Sequence, residues 1–319
     1  MQMTVSRFLQ PLSCVTFVMC AAPALAAPAT PQAAVHELLT ADRHFSAAGE
    51  DKNIVDSIAA MLAPDVMSPT PQRTFAKGKQ AVADLLRSNP ANATATAVWA
   101  PVRGGISADG LQGFTFGFMT IHHPGQADQR AKYLAYWVKR PEGWRVRAYK
   151  RTGSPPGDVS TALRAPAVPP QMLPPRPSPQ LVDKYRDSLA AREKAFSARA
   201  QKVGLRQAFL EFGSADAMNG GGGSDFVYGN AAISQTQPED VPSPVTWGPD
   251  EGVTVSEPLA AGTMAGIVPR AEDWRDELGW VREAGRDGVI LFEAVEWIDA
   301  KAAKGPARGV TRGAKRRKG

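Results

Sequence analysis

Two carboxylates in matching settings are the first residues in this chain with chemistry to offer. Asp65 follows Pro64, and 151 positions further on Asp216 stands in the corresponding place. A carboxylate in a pocket, its pKa raised by burial, can serve as a general base. An aspartate just after a proline is also a common turn residue. Asp65 is thus the candidate catalytic residue, and the turn role is the stronger of its two readings. His122 and His123 are adjacent, so on a strand their rings leave on opposite faces and cannot share a metal. No metal site is expected. Ser46 and Ser68 have no base marked beside them, so a hydroxyl nucleophile is not indicated. Alternating aromatics, Phe114, Phe116 and Phe118 and then Tyr133 and Trp137, either stack on a ring-shaped ligand or fill a core.

The elements that must position these residues come twice. Sliding the chain by 151 places sets Leu38 on Leu189, Phe45-Ser46-Ala47 on Phe196-Ser197-Ala198, Met67 on Met218, Phe75 on Phe226, Gly78 on Gly229 and Ala81 on Ala232. That spacing is too long for a solenoid and suits two copies of one domain. Helical spacing of Val35, Leu38, Leu39 and Ala48 predicts a helix over 36–48. A short helix is expected over 54–62, a hairpin around Ser68-Pro69-Thr70-Pro71, and a third helix over 80–86. From Ala95 the apolar period becomes two, through stretches around Trp99, Phe116, Tyr133 and Trp144, with Pro141-Glu142-Gly143 as a hairpin turn. The fold class is α+β: a cone-shaped, curved antiparallel sheet wrapped around three helices, in tandem.

Ala41-Asp42-Arg43-His44-Phe45, Leu62-Ala63-Pro64-Asp65-Val66 and the strand pair ending in Tyr136-Trp137-Val138-Lys139-Arg140 and Gly143-Trp144-Arg145-Val146 carry a resemblance. Over residues 35–152 the chain resembles the nuclear transport factor two-like superfamily, in particular its SnoaL-like branch. The resemblance implies a conical pocket between the concave sheet face and the helices. Its candidate residues are Asp42, Asp65, Trp99, His122, Tyr133, Trp137, Arg147 and Tyr149, and the expected ligand-binding set is Trp99, Phe116, Phe118, Tyr133, Trp137, Arg147 and Tyr149. The superfamily's isomerases imply a catalytic aspartate just before a proline on the hairpin, where this chain has Ser68-Pro69. Its epoxide hydrolases imply an Asp-Arg-Asp set, and no acid on the neighbouring strands is expected to pair with Arg147.

The expected organisation is a signal segment over 1–26, a first domain over 33–152, a proline-rich linker over 153–181, a second, incomplete domain over 182–299 and a basic tail over 300–319. Arg7, the apolar run Leu12–Ala22 and the small-residue site Ala24-Leu25-Ala26 predict export to the periplasm or outside the cell, with no transmembrane segment. Both cysteines, Cys14 and Cys20, fall within that segment, so the exported chain has no thiol. The net charge of +6 belongs to the tail, whose eight Lys and Arg after Asp299 leave −2 for everything before them. Nucleic acid is not an expected partner. The run Gly220–Gly223 lacks the Gly-Lys-Ser/Thr ending of a phosphate loop. After about residue 257 the parallel between the copies fails, and 271–284 reads as helix-like. That segment is either a substitute repacked on the domain or the product of a shifted reading frame. No cofactor is expected. The leading functional expectation is non-catalytic binding of a small apolar or aromatic ligand. The alternatives are an isomerase, cyclase or hydrolase using Asp65, and a dimerisation module that pairs through its sheets with its own second copy or with another chain.

Overall fold

The computed structural model describes residues 30–70, 75–172, 191, 194–213, 215–220 and 222–243, and the backbones of strands at 267–269, 276–282 and 289–295. The signal segment, the tail, the turn at 71–74 and the end of the linker (173–181) lie outside these residues. Helix α1 runs Pro31–Ala48, starting earlier than its apolar spacing indicates. Thr30 accepts a hydrogen bond from the Ala33 amide at 3.1 Å, and Pro31 sits in the first turn where a missing N–H costs nothing. Helix α2, Ile54–Met61, is capped in the same way by Asn53. Strands β1 (Leu62–Pro69) and β2 (Phe75–Lys77) form the hairpin, and α3 (Lys79–Arg87) follows Gly78. Four long strands complete this half: β3 (Thr96–Ile106), β4 (Gln112–His122), β5 (Gln129–Arg140) and β6 (Gly143–Gly153).

These strands form one sheet in the order β2-β1-β6-β5-β4-β3. It is antiparallel except where β1 runs parallel to β6, a mixed junction that the expectation of an antiparallel sheet did not include. Bulges between Pro101 and Arg103 and between Tyr136 and Trp137 shift the register, and bulges of this kind bend a sheet. At the β3 bulge Gly117 faces the neighbouring backbone so closely that a Cβ there would lie 2.1 Å from the Ala100 carbonyl oxygen. Only glycine permits that approach.

The bend gives the sheet two buried faces. Trp99, Met119, Ile121, Tyr133, Ala135, Trp137, Trp144, Val146 and Tyr149 point inward onto Leu38 and Leu39 of α1 and Ile54 and Ile58 of α2. Val102, Phe114, Phe116, Phe118 and Tyr136 point outward, where Met218, Phe226 and the partly buried Tyr228 from the second half of the chain cover them.

The second half contains α4 (194–203), α5 (Leu205–Phe212), β7 (Met218–Asn219), β8 (Val227–Tyr228), α6 (Asn230–Thr236), β9 (Ile267–Pro269), β10 (Asp276–Arg282) and β11 (Val289–Val295). Its strand order is β8-β7-β11-β10-β9, and β7 runs antiparallel to β8 and parallel to β11. The 151-residue offset holds in the hydrogen bonding. Met67 faces Lys77 and Ser68 faces Ala76, as Met218 faces Tyr228 and Asn219 faces Val227. Gly78 and Gly229 have φ of 92° and 82°, and their amides donate to Val66 and Ala217. Within the stretch expected to be helix-like, the described residues Asp276–Arg282 are instead a strand, paired along its length with β11. The helix-like spacing of Trp274, Leu278 and Val281 competes there with Gly279 and with Gly285 and Gly288 further on, which suit a hairpin better. The second sheet thus has five strands among the described residues, with none of them in the place that β3 takes in the first.

The linker does not simply span the two halves. The Arg164 amide donates to the Val102 carbonyl (2.7 Å), the Ala167 amide to Gly104 (3.0 Å), and the Ile106 amide to Ala167 (3.0 Å), so residues 164–167 run along the free side of β3.

Candidate functional site

The apolar stripe of α1 carries one acid. Val35, Leu38 and Leu39 continue at helical spacing into Asp42 and Ser46, which places the Asp42 carboxylate inside the cone with no exposed surface. Three strands supply its partners. Trp99 Nε1 of β3 donates to Oδ1 at 2.8 Å, the Tyr133 hydroxyl of β5 donates to Oδ2 at 2.8 Å, and the Thr115 hydroxyl of β4 also hydrogen-bonds the carboxylate. Thr115 Oγ1 in turn accepts from Trp137 Nε1 at 2.8 Å, and Ser46 Oγ accepts from the Trp99 amide at 2.7 Å. Burial raises the Asp42 pKa above the ordinary carboxylate value despite these donors, because a charge removed from water loses more than they return. Burial, followed by the neighbouring Asp42 charge, pushes the Tyr133 phenol well above its ordinary value.

Of the ligand-binding residues expected from sequence, Trp99, Tyr133, Trp137 and Tyr149 lie on this inner face. Trp137 is also stacked on Phe45 at 6.0 Å between ring centres. These four side chains are 0–5% exposed, so protein atoms rather than open space lie against them. Phe116 and Phe118 are on the other face, each 5.0 Å from the ring of Phe226. The strand period of two separates them from Tyr133 and Trp137 across the sheet.

Asp65 is outside the cone. Its carboxylate is half exposed and sits between two guanidinium groups, Arg140 Nη2 at 2.6 Å and Arg147 Nε at 3.0 Å. Arg147 therefore does have an acid on the adjacent strand, contrary to expectation, and Arg147 also donates to the Asp65 carbonyl. The parallel β1–β6 junction brings the two together, which an all-antiparallel order would not have suggested. Asp216 makes the corresponding contact across the chain: its carboxylate lies 2.8 Å from Arg103 of β3, and its carbonyl accepts from the same guanidinium at 2.8 Å. His122 pairs with Asp128 at 2.7 Å near the surface. No group of three or more potential metal ligands occurs among the described residues, and no helix among them is long and apolar enough to cross a membrane.

The seam between the halves holds the residues that sequence reasoning passed over. Lys132 of β5 is almost fully buried, and its ammonium donates to the carbonyls of Gly220, Gly223 and Asp225. The glycine run thus wraps a cation with its carbonyl oxygens. Burial lowers the Lys132 pKa to about 8. The folded chain therefore binds this proton less tightly than the unfolded chain does, and the contribution of Lys132 to stability rises with pH. Between about pH 8 and the ordinary lysine range, the wild type should gain stability relative to Lys132→Met. Denaturant unfolding of both proteins across that window checks it, and a flat difference refutes it.

Also at the seam, an open cleft of about 590 Å³ is lined by residues that include Arg103, Arg164, Asp216 and Tyr228. Arg103 is fully engaged, its Nε donating to the Ala165 carbonyl at 3.0 Å and its two other nitrogens to Asp216. Arg164 lies with its guanidinium carbon 3.6 Å from the centre of the Tyr228 ring.

The order of helices and strands in the first half is the one that the nuclear transport factor two-like resemblance implies, and solved structures with such folds are similar to it. One is an NTF2-like protein with a cystatin-like fold from Novosphingobium aromaticivorans (13% identity, 36% of this chain and 79% of that one, TM-score 0.29). Another is a ketosteroid isomerase-like protein from Erwinia carotovora atroseptica (15% identity, 37% and 95%, TM-score 0.30). A third is an LEH-like epoxide hydrolase from M. tuberculosis (17% identity, 37% and 82%, TM-score 0.28). No protein-family model and no curated protein matches the sequence.

Proposed function

We propose that this chain is an exported, non-catalytic binding protein in which the cone is a packed scaffold and the two halves act as one unit. The observation that carries this reading is the Asp42 carboxylate: both of its oxygens are held by fixed donors from three strands, and it has no exposed surface. A general base needs a free lone pair within reach of the proton that it abstracts. Asp42 is sealed from any substrate, with no exposed surface and both oxygens hydrogen-bonded, and Asp65 is paired with two arginines at the surface. The outward aromatic row that could have paired two chains is already covered by Phe226 and Tyr228 of the same chain. The reading is therefore of a monomer-compatible binder, with export resting on the N-terminal segment.

A second reading keeps the cone as an active site, because a buried carboxylate with a raised pKa is the usual starting point for acid–base catalysis. Native and denaturing mass spectra of protein purified from its own host separate the two. The binding reading expects the denatured mass of Ala27–Gly319, and in the native spectrum an added small mass that is unchanged on incubation and retained by Asp42→Asn. A small molecule that is converted by the wild type but not by a folded Asp42→Asn would establish the enzyme instead. A native spectrum with no added mass would leave the pairing-module alternative in place of the binder.

A further inference from the structure

We infer that the cleft at the seam of the two halves binds a small organic monocarboxylate through Arg164, with its apolar body against Tyr228. This names the ligand class and site for the binding reading above and rests on that reading. Four observations meet in the cleft. Its volume of about 590 Å³ falls in the range of small-molecule sites. The exposed Arg164 guanidinium carbon lies 3.6 Å from the centre of the Tyr228 ring, a contact that narrows the orientations open to its planar fork before any ligand arrives. Neither the Arg164 guanidinium nor the Tyr228 hydroxyl makes a side-chain hydrogen bond among the described residues, so both donors are unused. The charges lining the cleft, Arg103, Arg164 and Asp216, sum to one positive unit, and Asp216 consumes the Arg103 charge through a direct ion pair.

The last point selects the ligand. One free guanidinium fork matches one carboxylate in a bidentate pair. A phosphate dianion would bring a second charge against the Asp216 carboxylate, with no second free cation among the described lining residues to meet it. Ala165, Ala215 and Gly229 complete the lining and bring no further charge to it. Burial holds the Tyr228 phenol protonated, its pKa pushed up to about 12, so that it remains a donor across the working pH range.

Calorimetric titration of the full chain with benzoate, and separately with inorganic phosphate, tests this. Saturable one-to-one binding of benzoate, weaker binding of phosphate, and a loss of about tenfold or more in Arg164→Gln are expected. Arg164→Lys should not restore affinity, since an ammonium lacks the fork. Arg164 is exposed, so Arg164→Gln should melt as the wild type does, and Asp42→Asn should bind benzoate normally. Absence of saturable benzoate binding, phosphate binding as tight as benzoate, or binding indifferent to Arg164→Gln would each overturn the assignment. A native ligand retained by Arg164→Gln would reject this site while leaving the binding reading intact.

Discussion

Asp42→Ala should lower the unfolding free energy by about 3–5 kcal/mol, since three buried donors from three strands lose their common acceptor and each orphaned group costs about 1–3 kcal/mol. Trp99 Nε1, the Tyr133 hydroxyl and the Thr115 hydroxyl are tied through Asp42 to α1, so the change loosens the helix from the sheet as well as emptying a small volume. The pH dependence has a definite sign. The carboxyl titrates above its ordinary range in the fold, so its stabilisation is complete below that range and is lost as pH rises through the raised value. Wild type should therefore lose stability relative to Asp42→Asn as pH rises from acid toward neutral. Urea unfolding of wild type, Asp42→Ala and Asp42→Asn over that window measures both effects. A wild-type midpoint in Asp42→Ala would show that the network carries no structural weight.

Phe226→Ala should be comparably costly, about 3–5 kcal/mol for removing a buried ring. Phe226 is 6% exposed and lies 5.0 Å from both Phe116 and Phe118, so its loss opens the seam where the halves are joined. The consequence differs from that of Asp42→Ala. The cone remains closed, but the row Phe114, Phe116 and Phe118 faces water. Binding of a hydrophobic dye under native conditions, together with a lower unfolding midpoint, is the expected pair of signals. Retention of the wild-type midpoint with no dye binding would mean that the polar contacts of Lys132 and Arg103 hold the seam unaided.

The first half was legible in the sequence because its apolar periods change cleanly, from helical spacing interrupted by one hairpin up to residue 86 to alternation after Ala95. The inner and outer aromatics were not separated, since alternation alone shows that a strand has two faces and not which one is inside. The second face is claimed by Phe226 and Tyr228, more than a hundred residues away, and no local pattern announces that. Asp42 had a readable signal, an acid on an otherwise apolar helical stripe. Asp65 drew attention because it recurs, yet what recurs is an arginine contact: within the half for Asp65, across the seam for Asp216. Arg164 lies in a proline-rich stretch, where composition points to a tether and conceals a residue placed against an aromatic ring.

The backbone of residues 164–167 occupies hydrogen-bonding positions on β3 that would otherwise face solvent. Exposed strand edges are templates on which other chains can polymerise. The tether is thus a guard on the first sheet. Proteolytic cleavage there would do more than separate the halves: it would bare a ready template, and a well-behaved molecule would become a seed for intermolecular growth.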